Sequence, residues 1–288
     1  KDLKPFLKKK EKVAKKKKKK KRKKSPVLFE FEEDHIVTLE NQFLISGIIT
    51  PNSAFEFNGT KVTPKEDGEF QVTAQLTKGL NVLNFKAKKS MHQKKIWSLS
   101  TFNDMSGHWF EKKSAVLRYL GFVQDTPNFK PKEYITRVEF AKTIGPLYGL
   151  LPESSKQSKI LDIKENESHY MPIKAVVDSN LVQLLDGGYF KPNKIMTKYE
   201  VVKALVALNA YPKLEKTELN AIKLPFKDVR RRIRFKEVVK HAYHYELVSS
   251  SSWFYPYKKV TRAELYTLLY RSPFVQEKIK KVFEYDQI

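Results

Sequence analysis

The sequence predicts a multidomain α and β protein: a lysine arm, a small β-sandwich, and an all-α C-terminal region of three helical repeats. Three observations carry that expectation. Alternating β-branched and aromatic runs, broken by turn signals, fill residues 27–99, the pattern of short strands. From Thr101 the apolar spacing becomes helical. Thr136-Arg137-Val138-Glu139, Thr197-Lys198-Tyr199-Glu200 and Thr261-Arg262-Ala263-Glu264 then recur at intervals of 61 and 64 residues, which marks an internally repeated architecture.

The arm comes first. The 288 residues carry a net charge of +24, and residues 1–24 supply +14 of it, from 15 Lys and Arg22 against Asp2 and Glu11. The unbroken run Lys15 to Lys21 repels itself and has nothing to bury, so residues 1–25 are expected to be disordered. Lys15, Lys18, Lys21 and Arg22 are read as an electrostatic arm for an anionic surface, by counterion release. A lipid surface or acidic glycan is expected ahead of nucleic acid, because no base-reading helix follows and the aromatics fall on core positions. A solvated linker is the plainer alternative. The acidic stretch Glu30 to Asp34 stands where a signal peptide would need its apolar region. An export signal is therefore expected before Lys1 or outside this stretch of chain.

Residues 26–100 are expected to form the β-sandwich. Phe55-Glu56-Phe57 and Thr60-Lys61-Val62 flank Asn58-Gly59, a two-residue hairpin signal because both central positions favour positive φ. Asp67-Gly68 and Lys78-Gly79 introduce further β-rich runs. Seven or so strands, with turns every 8–12 residues, suit a small sandwich.

The helical region divides into units at 101–151, 160–212 and 225–271, with a helical tail at 272–288. Seven residues before each repeated Thr stands a Phe: Phe129, Phe190 and Phe254. Asp104, Asp162 and Asp228 lie further upstream, each before an aromatic that opens a first helix (Trp109, Tyr170 and Phe235). Ala115, Val116, Tyr119 and Leu120 give a buried stripe, with Gly121 as its C-terminal stop. A single unit of this size cannot bury its own apolar face, so three must pack together.

Thr, two residues, then Glu is a capping box: Thr136 with Glu139, Thr197 with Glu200, Thr261 with Glu264. It places Arg137, Lys198 and Arg262 at the first helical position, beside unfilled N–H groups and the positive dipole end. A carboxylate or phosphate on an extended polymer would be held there, bidentately by arginine. The plainer alternative is that the boxes only start helices and each cation pairs with a neighbouring acid.

Function classes are excluded by what the chain lacks. No cysteine occurs, which removes disulfide scaffolds, thiolate metal sites and cysteine nucleophiles, and suits an oxidising compartment. No run of about 18 apolar residues exists, so no transmembrane helix is expected. Phosphate-cradle, hydrolase-elbow and zinc-protease motifs are absent. His241 and His244 share a helical face, but no acidic third ligand stands beside them, so they are read as packing. No pair of carboxylates is singled out for glycoside cleavage. Neither a cofactor nor a metal is expected, and the chain is not expected to be an enzyme.

The residues 102–141, with Phe102-Asn103-Asp104, His108-Trp109, Phe129-Lys130-Pro131 and Ile135-Thr136-Arg137-Val138-Glu139-Phe140-Ala141, resemble a complete S-layer homology motif. Two weaker tandem copies follow, so the resemblance covers residues 100–271. It implies a three-repeat, pseudo-threefold helical prism that binds cell-wall polysaccharide non-covalently, either a pyruvylated secondary polymer or peptidoglycan. It further implies that Arg137 and Arg262 contact the ligand's carboxylate, with Lys198 in the corresponding place. Asp104, Trp109, Asp162 and Asp228 would shape the grooves. Lys198 departs from Arg, and Asn180 and Glu246 stand where Gly121 stands in the first copy. The β-region resembles bacterial immunoglobulin-like sandwich modules, by Gly47, Asn58-Gly59, Asp67-Gly68 and Gly79.

The expected function is therefore anchoring to the bacterial cell envelope, on the surface, in the wall or in the periplasm. The alternatives are a structural subunit of an envelope assembly that uses the repeats for protein packing, and a polyanion binder acting through the arm.

Overall fold

The computed structural model describes residues 27–29, 35–51, 53–87, 90–153, 159–209, 211–229 and 233–284, with backbone only at 27, 28, 233, 234 and 284. The chain splits into two compact units, one ending at Ser98 and the other beginning at Leu99. The lysine arm lies outside the described residues.

The first unit holds eight strands among the described residues: β1 (Val27–Phe29), β2 (His35–Thr38), β3 (Gln42–Ile49), β4 (Phe55–Phe57), β5 (Thr60–Val62), β6 (Glu69–Gln75), β7 (Gly79–Ala87) and β8 (Ser90–Ser98). They form a three-stranded sheet, β1-β3-β6, and a five-stranded sheet, β2-β8-β7-β4-β5. Ile45, Ile49 and Phe70 of the first sheet and Phe55, Leu83, Phe85 and Ile96 of the second are buried in one cluster. Alternation along β3 explains the register: Ile45 and Ile49 point inward, while Leu44 and Ile48 stay exposed. The Asn58-Gly59 turn has φ of +47° and +84° and pairs Phe57 with Thr60. Gly68 is required where it stands. With φ at +90°, a Cβ there would lie 2.0 Å from the Ile49 carbonyl oxygen.

The second unit holds α1 (Glu111–Tyr119), α2 (Arg137–Leu147), α3 (Tyr170–Asp178), α4 (Lys198–Leu208), α5 (Lys216–Ala221), α6 (Ile233–His244), α7 (Arg262–Arg271) and α8 (Pro273–Ile279), closed by a π-helical turn at Lys280–Glu284. One buried cluster serves it, with Phe102, Phe110, Phe140, Phe190 and Phe254 essentially sealed from solvent. None of the helices among the described residues is long and apolar enough to cross a membrane.

The expected fold class, an immunoglobulin-like sandwich followed by an all-α three-repeat pseudo-threefold prism, needs correction. The chain is a mixed α and β structure. Its larger sheet is itself mixed, because β2 runs parallel to β8 while β7 and β8 are antiparallel. The second unit is not all-helical. Its helices are short, and long irregular segments between them pair through backbone bridges at Tyr134–Thr261, Thr136–Ile195, Leu185–Tyr189 and Thr197–Lys259. The physical reason is that buried loop amides and carbonyls must find partners, a demand that apolar spacing does not display.

The first helices end as Gly121 suggests. Gly121, Asn180 and Glu246 take φ of +75°, +56° and +58°. The sequence disfavours Glu246 in that conformation. Its amide nonetheless donates to the Tyr243 carbonyl and that of Val248 to Ala242, while Leu247 and Val248 bury completely or nearly so. These contacts offset a left-handed cost of about 1–2 kcal/mol.

Candidate functional site

Three junctions, each running from a loop into a second helix, hold most of the residues singled out from sequence. Each loop is clasped by an aspartate. Asp104 accepts from the amides of Phe129 and Lys130 at 2.7 and 2.6 Å. Asp162 does the same for Phe190 and Lys191, both at 2.7 Å, and Asp228 for Phe254 and Tyr255 at 2.9 and 2.7 Å. The clasp drives the phenylalanine into the core and holds Lys130, Lys191 and Tyr255 at φ of +60°, +56° and +56°. The aspartates thus shape loops from within, and their carboxylates are spent on backbone.

The capping boxes form at all three helix starts. The Thr136, Thr197 and Thr261 side chains accept from the Glu139, Glu200 and Glu264 amides, and each glutamate reaches back to the cap amide. Burial pushes the Glu200 carboxyl up, but bonds from the Thr197 amide and hydroxyl and the nearby Lys194 ammonium outweigh it, so its pKa is lowered overall.

Amides at the helix starts are expected to be open to a ligand, and here the structure corrects the sequence. The Arg137 and Val138 amides donate to the Lys194 and Pro192 carbonyls, those of Lys198 and Tyr199 to Lys258 and Pro256, and those of Arg262 and Ala263 to Glu133 and Pro131. The preceding residues close a ring. Ile135 donates to Val260, Val260 to Met196, and Met196 to Ile135, at 2.9–3.1 Å. Each helix start therefore satisfies itself on the next junction's loop.

The three cations follow the same rotation but end differently. Arg137 is only 3% exposed. Its Nε donates to the Phe190 carbonyl and an Nη to that of Gln183, with the guanidinium 4.6 Å from the Phe190 ring centre. Burial lowers its pKa. Lys198 lies 4.8 Å over the Phe254 ring, and burial lowers its pKa too. Arg262 pairs with Glu139 at 3.1 Å and Glu133 at 3.4 Å. Its side chain keeps 24% exposure, and its Nε is buried without a partner among the described residues. The expected row of three outward-facing cations is thus not present: Arg137 faces inward, Lys198 sits against an aromatic ring, and Arg262 is held in an ion pair.

A groove of about 650 Å³ does open beside the first junction. The loop 121–130 makes one wall, and Glu139 and Lys142 of α2 with Arg262 and Tyr266 of α7 make the other. Lys142 is exposed and makes no hydrogen bond or ion pair among the described residues. Sequence reasoning missed Lys142 and Tyr266. The signal was the helical spacing, since Lys142 lies three residues beyond Glu139 on the same face. Trp109 is 62% exposed, packs beside His108 and Phe110, and is not among the groove residues.

Residues 101–141 match the model of the S-layer homology domain. This module is generally involved in attaching proteins to the cell envelope. The matched segment contains Asp104, Phe129, Lys130, the first capping box and Arg137, which is the first junction and one wall of the groove. No curated protein matches the chain.

Proposed function

We propose that the protein is a non-catalytic anchor of the bacterial cell envelope, and that the groove beside α2 takes an acidic segment of cell-wall polymer. The observation that carries this is a coincidence of place. The segment matching the S-layer homology domain builds one wall of a groove whose charged lining is Lys130 and Glu139 from that segment, with Lys142 and Arg262 from beyond it. That excess of positive charge suits a carboxylate-bearing glycan, pyruvylated or peptidoglycan-derived. Arg262, already oriented by Glu139 and Glu133, would exchange part of that pairing for the ligand. Two further copies of the motif, within 160–212 and 225–271, would supply packing and the ring of backbone bonds. The corresponding location is the exported compartment, at the wall or cell surface.

Retention on purified cell-wall sacculi tests the proposal. Lys130→Glu with Lys142→Glu should lower retention at least tenfold relative to the unchanged chain. Mild acid removal of ketal groups from the sacculi should erase the difference if the polymer is pyruvylated. Equal retention of variant and parent on untreated sacculi would defeat it. A second reading, a structural subunit of an envelope assembly, is supported by the inward commitment of Arg137 and Lys198. It expects the variants to alter self-association instead.

A further inference from the structure

A second basic pocket lies away from the matched segment, where α5 and its exit loop meet α6. It measures about 460 Å³ and is lined by Lys223, Lys236 and Lys240 together with Leu224, Phe226 and Val229. Lys236 and Lys240 are one helical turn apart, so α6 presents both ammonium groups to the same space. Among the described residues no acid lines it.

Lys240 is the informative member. It is only 7% exposed, and its ammonium has one partner among the described residues, the Leu219 carbonyl in the last turn of α5. A lysine ammonium carries three donors, and burying a cation with donors unfilled is costly. Tying α5 onto α6 uses one donor. Two remain, at a pocket whose other cations, Lys223 and Lys236, make no hydrogen bond or ion pair among the described residues and are exposed.

We propose that this pocket binds a small oxyanion, a phosphate or carboxylate group borne on a compact organic body. The three ammonium groups hold the oxyanion as point charges, without the bidentate geometry that arginine would impose. The apolar wall of Leu224, Phe226 and Val229 takes the body, and the volume is that of a small-ligand site. The site shares no residue with the groove beside α2, so failure of either proposal leaves the other standing.

The experiment is titration of the isotopically labelled full chain with inorganic phosphate and, separately, pyruvate, at constant ionic strength. Amide resonances are followed by NMR, so that anions collecting on the lysine arm are read separately. Saturable shifts at the amides of residues 219–224 and 236–240 are expected. Lys223→Gln with Lys236→Gln should raise the dissociation constant at least fivefold without altering the melting temperature, and Lys240→Met should remove saturation. The anion giving the tighter saturation identifies the ligand chemistry. Shifts that never saturate with either anion, or that persist unchanged in the Lys223→Gln, Lys236→Gln variant, overturn the proposal.

Discussion

The first and third junctions begin from nearly the same tetrapeptide, Thr-Arg-x-Glu, and put their arginines to opposite uses. Arg137 is sealed, with two carbonyls of the following junction as acceptors. Arg262 lies at the rim of a groove, paired with two carboxylates. The difference comes from what each arginine meets. Arg137 faces Phe190 and its clasped loop, whereas at the third junction Tyr266 occupies the space against Phe129 at 5.4 Å. A cation at the first position of a capped helix is therefore either buried as a strut or left at the rim of a groove, and the aromatic packing around it decides which.

The widest separation between the two is expected on substitution. Arg137→Met strands the Phe190 and Gln183 carbonyls and should cost about 3 kcal/mol of stability, at 1–3 kcal/mol for each buried group left unpaired. Arg262→Met removes a partly exposed pair and should cost under about 1 kcal/mol. Retention on sacculi should invert the order: it falls for Arg262→Met and, below the melting temperature, survives in Arg137→Met. Urea denaturation and the sacculus assay on the same two variants decide it. Equal stability loss would mean that the two arginines do the same work.

The clasps should give the next largest effect. Asp162→Ala leaves the Phe190 and Lys191 amides without their acceptor, and Phe190 is also the loop on which Arg137 rests. A loss of about 2 kcal/mol is expected from charge-assisted bonds of this kind. Because Asp162 and Arg137 act on one loop, the double variant should lose less than the sum of the singles. Strict additivity, read from the same denaturation curves, would show that the clasp and the strut are independent.

Much of this was legible in the sequence where causes are local. Asn58-Gly59 announces its turn, and Thr-x-x-Glu announces its cap, because donor and acceptor lie within three residues. What escaped was everything set by distant partners. The acceptors of Arg137 are 46 and 53 residues away, and the aspartate clasps span 25 to 29 residues. Lys130, Lys191 and Tyr255 hold positive φ although neither residue type signals it, since the clasp imposes the conformation. Charge, likewise, marks where a cation sits along the chain but not which way it faces. Arg137 and Arg262 are indistinguishable by pattern, and packing alone separates them.

The second junction offers the finest test, because the carboxyl of its cap is held below its usual pKa. The folded pKa of Glu200 lies below its usual value: burial raises it, while the Thr197 amide and hydroxyl and the Lys194 ammonium lower it further. A depressed folded pKa means that ionised Glu200 favours the folded state. That contribution is fully present above the unfolded value of about 4.3 and drains away as pH falls through the folded value. Glu200→Gln should therefore cost about 0.5–1 kcal/mol at pH 7, the ordinary worth of a cap. The gap between variant and parent should close as the pH drops below about 4. Calorimetric melting of both proteins across pH 3–7 reads the effect directly. A gap that stays constant to pH 3 would mean that the loss on substitution comes from the geometry of the cap and not from charge, and that ionised Glu200 contributes nothing to holding the start of α4.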